Sequence, residues 1–137
     1  MNRRHVVLGL TLGVGMLIGA YTVGLLHAQA QIHRTSLVHA DMASIAGKEA
    51  DAWIAEFPPG TDTGKHFHHA DQFVYVLEGT IILEEEGKPP VTYKAGQMFQ
   101  ELPNMHHTGR NGSTTAPLKI LAFQVHDKGQ PLLVPVK

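Results

Sequence analysis

From residue 50 onward, the chain is a series of short extended segments that alternate with turns. Segments 52–57, 72–77 and 118–125 are rich in β-branched and aromatic residues, which favour strands. Glycine and proline mark the turns between segments, as at positions 58–60. The pattern predicts about seven strands and no helix, which indicates an all-β sandwich or barrel. The stretch 31–48 is weakly patterned, and we expect it to form an extended arm or an edge strand.

The first thirty residues differ in character from the rest of the chain. Basic residues at positions 2–5 precede an apolar run at positions 6–26, and Ala28-Gln29-Ala30 then forms a small-x-small site. This layout predicts a secretory signal peptide that is cleaved between Ala30 and Gln31.

The apolar run at positions 6–26 has a second interpretation. It is long enough to cross a hydrocarbon layer of about 30 Å as a helix, so it could remain as an anchor in the inner membrane. Arg3-Arg4 fits either a degenerate twin-arginine signal or the basic start of an ordinary export signal. We therefore expect residues 1–30 to be a signal peptide or a membrane anchor. Residues 31–137 are expected to form one domain that is periplasmic or secreted, or anchored.

Charge and cysteine content limit the classes of partner. The chain has 11 Lys and Arg residues against 12 Asp and Glu residues, and its formal net charge is −1. It has no basic patch, so no nucleic-acid partner is expected. The sequence contains no cysteine. Stability must therefore come from a packed core, a bound metal or subunit contacts rather than from disulfides.

Two histidine clusters carry the strongest chemical signal in the chain. His66 and His68 are two residues apart in an extended stretch, so their side chains point to the same side. Such a pair can bind one metal ion through two imidazole nitrogens at roughly 2.0–2.1 Å. The second cluster, His106-His107, could supply a third nitrogen.

The spacing around both clusters resembles that of the cupin superfamily. The first cupin motif is G-x5-H-x-H-x3,4-E-x6-G, and it aligns with Gly60, His66, His68, Gln72 and Gly79. The second motif is G-x5-P-x-G-x2-H-x3-N, and it aligns with Gly96, Leu102, Asn104, His107 and Asn111. The proline lies one position later, at Pro103. Asn104 replaces a glycine, and asparagine tolerates the left-handed backbone that glycine often adopts.

The resemblance spans residues 52–126 and implies a double-stranded β-helix of jelly-roll type, the cupin barrel. It also implies one divalent transition metal (Fe, Mn, Ni or Zn) that is bound by His66, His68, Gln72 and His107. His106 would replace His107 if the moved proline changes the register; otherwise His106 faces away. The alternative is a cupin that has lost its metal, with these histidines at the surface or in the core.

Gln72 stands where the motif has a glutamate, and it has no charge and accepts no proton at neutral pH. A metal that faces only neutral imidazoles would be retained less tightly, would be more electrophilic and would favour anionic ligands. Gln72 could offer its carbonyl oxygen or swing away from the metal. Glu101 and His106 are the candidates for a catalytic base.

Strand parity also predicts which side chains surround the site. Val74 and Val76 share the parity of Gln72 and are expected inside the barrel. Further pocket walls are expected from Phe99, Met98 or Met105. Arg110 is a candidate for binding a substrate carboxylate, with exposure to solvent as the alternative.

Two functions fit these features. The first is an exported metal-dependent oxygenase, a dioxygenase that acts on a small aromatic or enolic compound, with iron as the usual metal for such chemistry. The second is a non-catalytic periplasmic module that binds a small ligand or a metal. Lyase or isomerase activity would also fit, because the fold does not determine the reaction. Cupins commonly pair through sheet edges, so the resemblance also implies a homodimer.

Overall fold

The computed structural model describes residues 31–137, which form ten β-strands. The strands are β1 (His33–Asp41), β2 (Lys48–Phe57), β3 (His66–Phe67), β4 (Gln72–Glu78), β5 (Thr80–Glu85), β6 (Val91–Lys94), β7 (Met98–Glu101), β8 (His107–Asn111), β9 (Leu118–Asp127) and β10 (Val134–Pro135). Residues 31–137 contain no helix, and so none there that is long and apolar enough to cross a membrane. The predicted signal peptide or anchor lies outside the described residues.

The strands form two five-stranded antiparallel sheets. Sheet 1 has the strand order β1-β2-β9-β4-β7, and sheet 2 has the order β10-β3-β8-β5-β6. From β2 to β10 the chain passes repeatedly from one sheet to the other, so two layers are wound together. This arrangement confirms the all-β double-stranded β-helix.

The core lies between the two sheets because side chains alternate between buried and exposed along the strands. On β4, Gln72, Val74 and Val76 are buried, whereas Phe73 is exposed. The predicted inward position of the two valines is therefore confirmed. They belong to an apolar cluster with Trp53, Ala55, Phe57, Ile81, Leu83, Phe99, Leu118, Ile120 and Ala122.

The stretch that follows residue 30 takes the form of an edge strand. β1 lies at the margin of sheet 1 and pairs with β2, with a register irregularity between Ser36 and Val38. All nine residues of β1 are exposed. Of the two predicted forms for this stretch, the edge strand is the one observed.

Asn104 shapes the loop that leads to the second histidine cluster. Its φ angle is 60°, and it is the one non-glycine residue of the range 31–137 with a positive φ. The predicted left-handed conformation is therefore confirmed. The Asn104 backbone N–H donates a hydrogen bond of 2.7 Å to the carbonyl oxygen of His68. This bond fixes the loop against the first histidine cluster.

Candidate metal centre

His66, His68 and His107 come together on the inner side of sheet 2. His66 begins β3 and His107 begins β8, and the two residues are directly paired across these strands. His68 follows β3 at the spacing that returns its side chain to the same side. All three residues are at most 4% exposed. One ring nitrogen from each lies within 4.8 Å of the other two.

Backbone hydrogen bonds orient the three rings in the same way. The Nδ1 atoms of His66, His68 and His107 lie near backbone carbonyl oxygens, which belong to Gly64, Leu132 and Met105 at 3.0, 2.6 and 2.8 Å respectively. A carbonyl oxygen only accepts, so each Nδ1 must donate and therefore carries a proton. In the neutral ring, Nε2 then keeps its lone pair, which is the form in which imidazole binds a metal.

The Nε2 atoms of His68 and His107 are buried and make no hydrogen bond within the described part of the chain. Their polar neighbours are the two carboxylate oxygens of Glu101, at 3.2 Å from His68 Nε2 and 3.4 Å from His107 Nε2. A nitrogen lone pair faces a carboxylate oxygen at both contacts, and two acceptors repel each other unless a cation lies between them. A metal ion or an additional proton between these atoms would therefore remove the repulsion.

Glu101 brings a carboxylate to the site from sheet 1. It is 5% exposed, and it pairs directly with Gln72 across β7 and β4. Gln72 Nε2 donates a hydrogen bond of 2.6 Å to Glu101 Oε2, whereas Gln72 Oε1 is buried and unpartnered among residues 31–137. The sequence-based expectation of only neutral side chains around the metal therefore did not include Glu101, which places a carboxylate beside His68 and His107.

Burial and charge compete within this group. Burial favours the neutral form of Glu101, but His107 and His68 outweigh burial and lower its pKa to about 2. Burial lowers the pKa of His66 to about 4, and the other two histidines add to the effect. Burial alone would lower the pKa of His107, but Glu101 and the Met105 carbonyl raise it. The histidines thus keep the buried carboxylate ionised when they carry the additional proton, and a metal ion would supply the same positive charge.

The donor set fits a divalent transition metal. Three imidazole nitrogens, with the Glu101 carboxylate beside two of them, are ligand types that zinc, iron, manganese and nickel accept. In a tetrahedral site, two nitrogens that each lie 2.1 Å from the ion are about 3.4 Å apart. The three histidine nitrogens lie within 4.8 Å of one another, so the rings would move inward to bind one ion. The unpartnered Oε1 of Gln72 is a further oxygen that such an ion could use.

A cavity of about 410 Å³ adjoins the histidines. Its volume falls within the range of small-molecule sites. His66, His68, Gln72 and Glu101 form one part of its lining. Apolar side chains form most of the remainder, namely Trp53, Ala55, Phe57, Ile81, Ile120, Leu132 and Leu133. The candidate metal ligands therefore border a space in which a small organic molecule can bind.

His106 lies outside the cluster, which corrects its place among the candidate ligands and bases. Its side chain is 36% exposed, and its Nδ1 lies 3.2 Å from the carboxylate of Glu86. Its ring contacts Phe67 rather than the buried histidines. The cause is strand alternation, since His106 adjoins His107 and faces the opposite side.

Several predicted pocket residues also lie elsewhere. Met98 is 59% exposed, and Phe99 is buried but stacks on Tyr93. Neither residue lines the cavity, and Met105 does not line it either. Arg110 does not line the cavity, and its guanidinium pairs with Glu84 at 3.0 Å. The predicted cavity positions of Met98, Phe99 and Met105 are therefore wrong, whereas the alternative given for Arg110, exposure to solvent, agrees with its 43% exposed side chain.

Other cavity residues carried no recognised signal in the sequence. Trp53 and Phe57 could have been inferred from parity along β2, because both fall on the buried face of that strand. The contact of Glu101 with the histidines depends on the register between β4 and β7. Arg34, which also lines the cavity, depends on the pairing of an edge strand.

Comparison with known proteins agrees with this architecture. A family model described as "Cupin domain" matches residues 53–124, which is more than half of the chain. No curated protein matches the sequence significantly.

Solved structures share the fold at low sequence identity. A cupin superfamily protein from Desulfitobacterium hafniense has a TM-score of 0.59 and 12% identity, over 71% of this chain and 79% of that protein. The Cnp3 cupin domain from Schizosaccharomyces pombe has a TM-score of 0.60 and 16% identity, over 72% and 67%. The DMSP lyase DddQ from Ruegeria pomeroyi has a TM-score of 0.57 and 22% identity, over 64% of this chain and 43% of that enzyme. These similarities concern the fold.

Proposed function

Since the chain belongs to the cupin family, we propose that it is an exported mononuclear-metal enzyme of the oxygenase type that acts on a small organic substrate. One observation carries the proposal. The Nε2 atoms of His68 and His107 are directed at the Glu101 carboxylate beside an apolar cavity, with His66 completing the group. This combination suits a bound cation next to a bound organic molecule.

The proposal gives each residue of the site a separate role. His66, His68 and His107 hold the metal, and Glu101 balances part of its charge. Gln72 orients the Glu101 carboxylate by its hydrogen bond of 2.6 Å and has a free carbonyl oxygen for the ion. When bound, a redox-active metal such as iron supplies the centre for oxygen chemistry. The apolar walls bind the substrate body and exclude water from it.

A lyase reaction is the second candidate, and Glu101 is the observation that favours it. Its carboxylate lines the cavity, where it could accept a proton from a substrate carbon. Two of the structural neighbours are named as DMSP lyases. A lyase reaction would form product without consuming oxygen, so the two candidates are separable by one measurement.

Oxygen uptake tests the proposed reaction class. Full-length protein is loaded separately with iron, manganese and nickel, and is offered a panel of small aromatic and enolic compounds in an oxygen electrode. We expect substrate-dependent oxygen uptake that is lost in His107→Ala and retained in the matched variant His106→Ala. Product without oxygen uptake would support the lyase. If the protein binds compounds of the panel but converts none of them, the oxygenase and the lyase are both excluded, and the non-catalytic binding module is favoured.

We also propose that residues 1–30 direct export. The basic start, apolar run and small-x-small site support this assignment. Fractionation of cells that express the full-length chain should place the protein outside the cytoplasmic membrane. Replacement of both Arg3 and Arg4 by Lys then separates the routes, because only twin-arginine export should stop. Recovery of the unprocessed chain in the cytoplasm would contradict the proposal.

A further inference from the structure

Arg34 is the residue of the cavity that the proposed metal site leaves without a role. It lines the cavity and also the adjoining surface groove, which includes Pro59, Gly60 and Asp62. Arg34 therefore stands at the boundary between the apolar interior and solvent. Arg34 is exposed as a whole, like the rest of β1, but part of its side chain borders the cavity.

The pairing of β1 with β2 directs Arg34 towards the cavity. Arg34 lies directly opposite Ala55 in this antiparallel pair. Residues opposite each other share one face of a sheet, and Ala55 is buried and lines the same cavity. The inward direction of Arg34 thus follows from the register of the strands as well as from its contact with the cavity.

Arg34 has no anionic partner among residues 31–137. Arg110 pairs with Glu84 at 3.0 Å, but no carboxylate of the described chain pairs with Arg34. Although Arg34 is exposed as a whole, partial desolvation lowers the pKa of its guanidinium, and no neighbouring charge opposes the effect. The carboxylate that does line the cavity, Glu101, is already engaged by Gln72 and the histidines. The guanidinium donors are therefore available to an anion that enters the cavity.

We propose that Arg34 binds the carboxylate of a small organic acid whose apolar body occupies the cavity. A guanidinium binds a carboxylate through two parallel hydrogen bonds, which gives both affinity and a fixed orientation. Trp53, Phe57 and Leu132 provide apolar surface for the body of the ligand. The inference deepens the proposed function by naming the substrate class, and it rests on that function for the reaction but not for binding.

Trp53 provides a direct measure of occupancy, because it is the one tryptophan of the chain and it lines the cavity. Full-length protein is titrated with benzoate and with neutral benzamide while tryptophan fluorescence is recorded. We expect wild type to bind benzoate about tenfold more tightly than benzamide. Arg34→Gln should remove this preference and leave benzamide affinity unchanged, whereas the matched variant Arg110→Gln should behave as wild type.

The titrations are repeated after chelator treatment and in His107→Ala, which separates this inference from the metal site. Persistence of the benzoate preference in both supports Arg34 as the anion site even if the metal assignment fails. Loss of the preference on metal removal alone would overturn the inference, since the carboxylate would then bind the ion. Absence of millimolar benzoate binding by wild type would overturn it as well. Should Arg34→Gln not fold, Arg34→Lys applies the same test, with weakened benzoate binding and unchanged benzamide binding.

Discussion

Gln72 and Glu101 together set the charge of the candidate site. Gln72 occupies the place of the motif glutamate, and Glu101 supplies a carboxylate from the neighbouring strand. A hydrogen bond of 2.6 Å joins the two side chains. The negative charge that the motif places at position 72 is therefore carried by Glu101 on the neighbouring strand. A prediction of the charge of the site from Gln72 alone therefore misses the carboxylate of Glu101.

Exchange of these two residues tests their division of roles. Glu101→Gln removes the carboxylate, and we expect metal affinity to fall by about 10–100-fold in a chelator competition assay. The double variant Gln72→Glu with Glu101→Gln returns one carboxylate to the pair and should recover most of this loss. Wild-type affinity in Glu101→Gln would show that its carboxylate does not act on the metal. Thermal unfolding in excess chelator controls for loss of the fold.

The sequence predicts the histidines of the site better than its carboxylate. His66, His68 and His107 follow from spacing and strand alternation, which are local properties. Glu101 was a candidate base, but its contact with the histidines requires the register between β4 and β7. Arg34 reaches the cavity through the pairing of β1 with β2. Such registers depend on tertiary packing that one sequence does not reveal.

Strands β1, β2 and β9 carry a second group of histidine and carboxylate side chains. His126 Nε2 lies 2.8 Å from Asp51 Oδ2, and His126 Nδ1 lies 3.1 Å from the Asp127 carbonyl oxygen. Both ring nitrogens therefore lie within hydrogen-bond distance of oxygen atoms on β2 and β9. His39 Nδ1 lies 3.0 Å from the other Asp51 oxygen. This group is therefore a network of polar contacts that joins three neighbouring strands of sheet 1.

Asp51→Ala tests the contribution of this network to stability. The change leaves buried His126 without its carboxylate partner, and we expect a loss of about 3 kcal/mol in the free energy of unfolding. The exposed Asp71 gives a control, since Asp71→Ala should change stability by only about 0.5 kcal/mol. Denaturant titration of both variants provides the measurement. Equal stabilities of the two would refute a structural role for Asp51.

The turn between β4 and β5 depends on a glycine for two separate reasons. Gly79 has a φ angle of 79°, and a Cβ there would lie 2.7 Å from the carbonyl oxygen of Pro117. Gly87 has a φ angle of 75° with open space around it. Gly87→Ala should cost about 1 kcal/mol from backbone strain, and Gly79→Ala should cost about 2 kcal/mol more from the added clash. Similar unfolding midpoints for the two variants would show that the contact with Pro117 relaxes freely.

The outer face of sheet 1 carries several exposed apolar side chains. Phe73 and Phe123 are directly paired across β4 and β9, and they are 37% and 40% exposed. Met98 is 59% exposed and pairs with Tyr75 beside them. Monomeric proteins rarely expose a large contiguous apolar patch. We propose that homodimer formation buries this face.

Light scattering after size-exclusion chromatography tests the homodimer. Wild type should have the mass of a dimer, and Phe123→Glu should have that of a monomer because it places a charge within the apolar face. Val91→Glu is the matched control, since Val91 is 42% exposed on β6 of sheet 2. A monomeric wild type would contradict the proposal.

At the scale of the whole molecule, turns and motif spacing predict the fold well. Turns that contain glycine or proline separate the strands. Asn104 adopts the left-handed conformation that is expected from its place in the second motif. The number of strands is underestimated because β3 and β10 have only two residues each. Such short pieces form through pairing with neighbours, so local composition does not reveal them.

The metal content of full-length protein tests the central claim, that His66, His68 and His107 form one metal site with Glu101. Wild type, His107→Ala and His106→Ala are purified in parallel, and the metal in each is measured by mass spectrometry. The adjacent histidines make a matched pair, because one is buried in the cluster and the other is 36% exposed outside it. We predict one divalent metal ion per chain in wild type and His106→Ala, and almost none in His107→Ala. Equal metal in all three proteins would contradict the site.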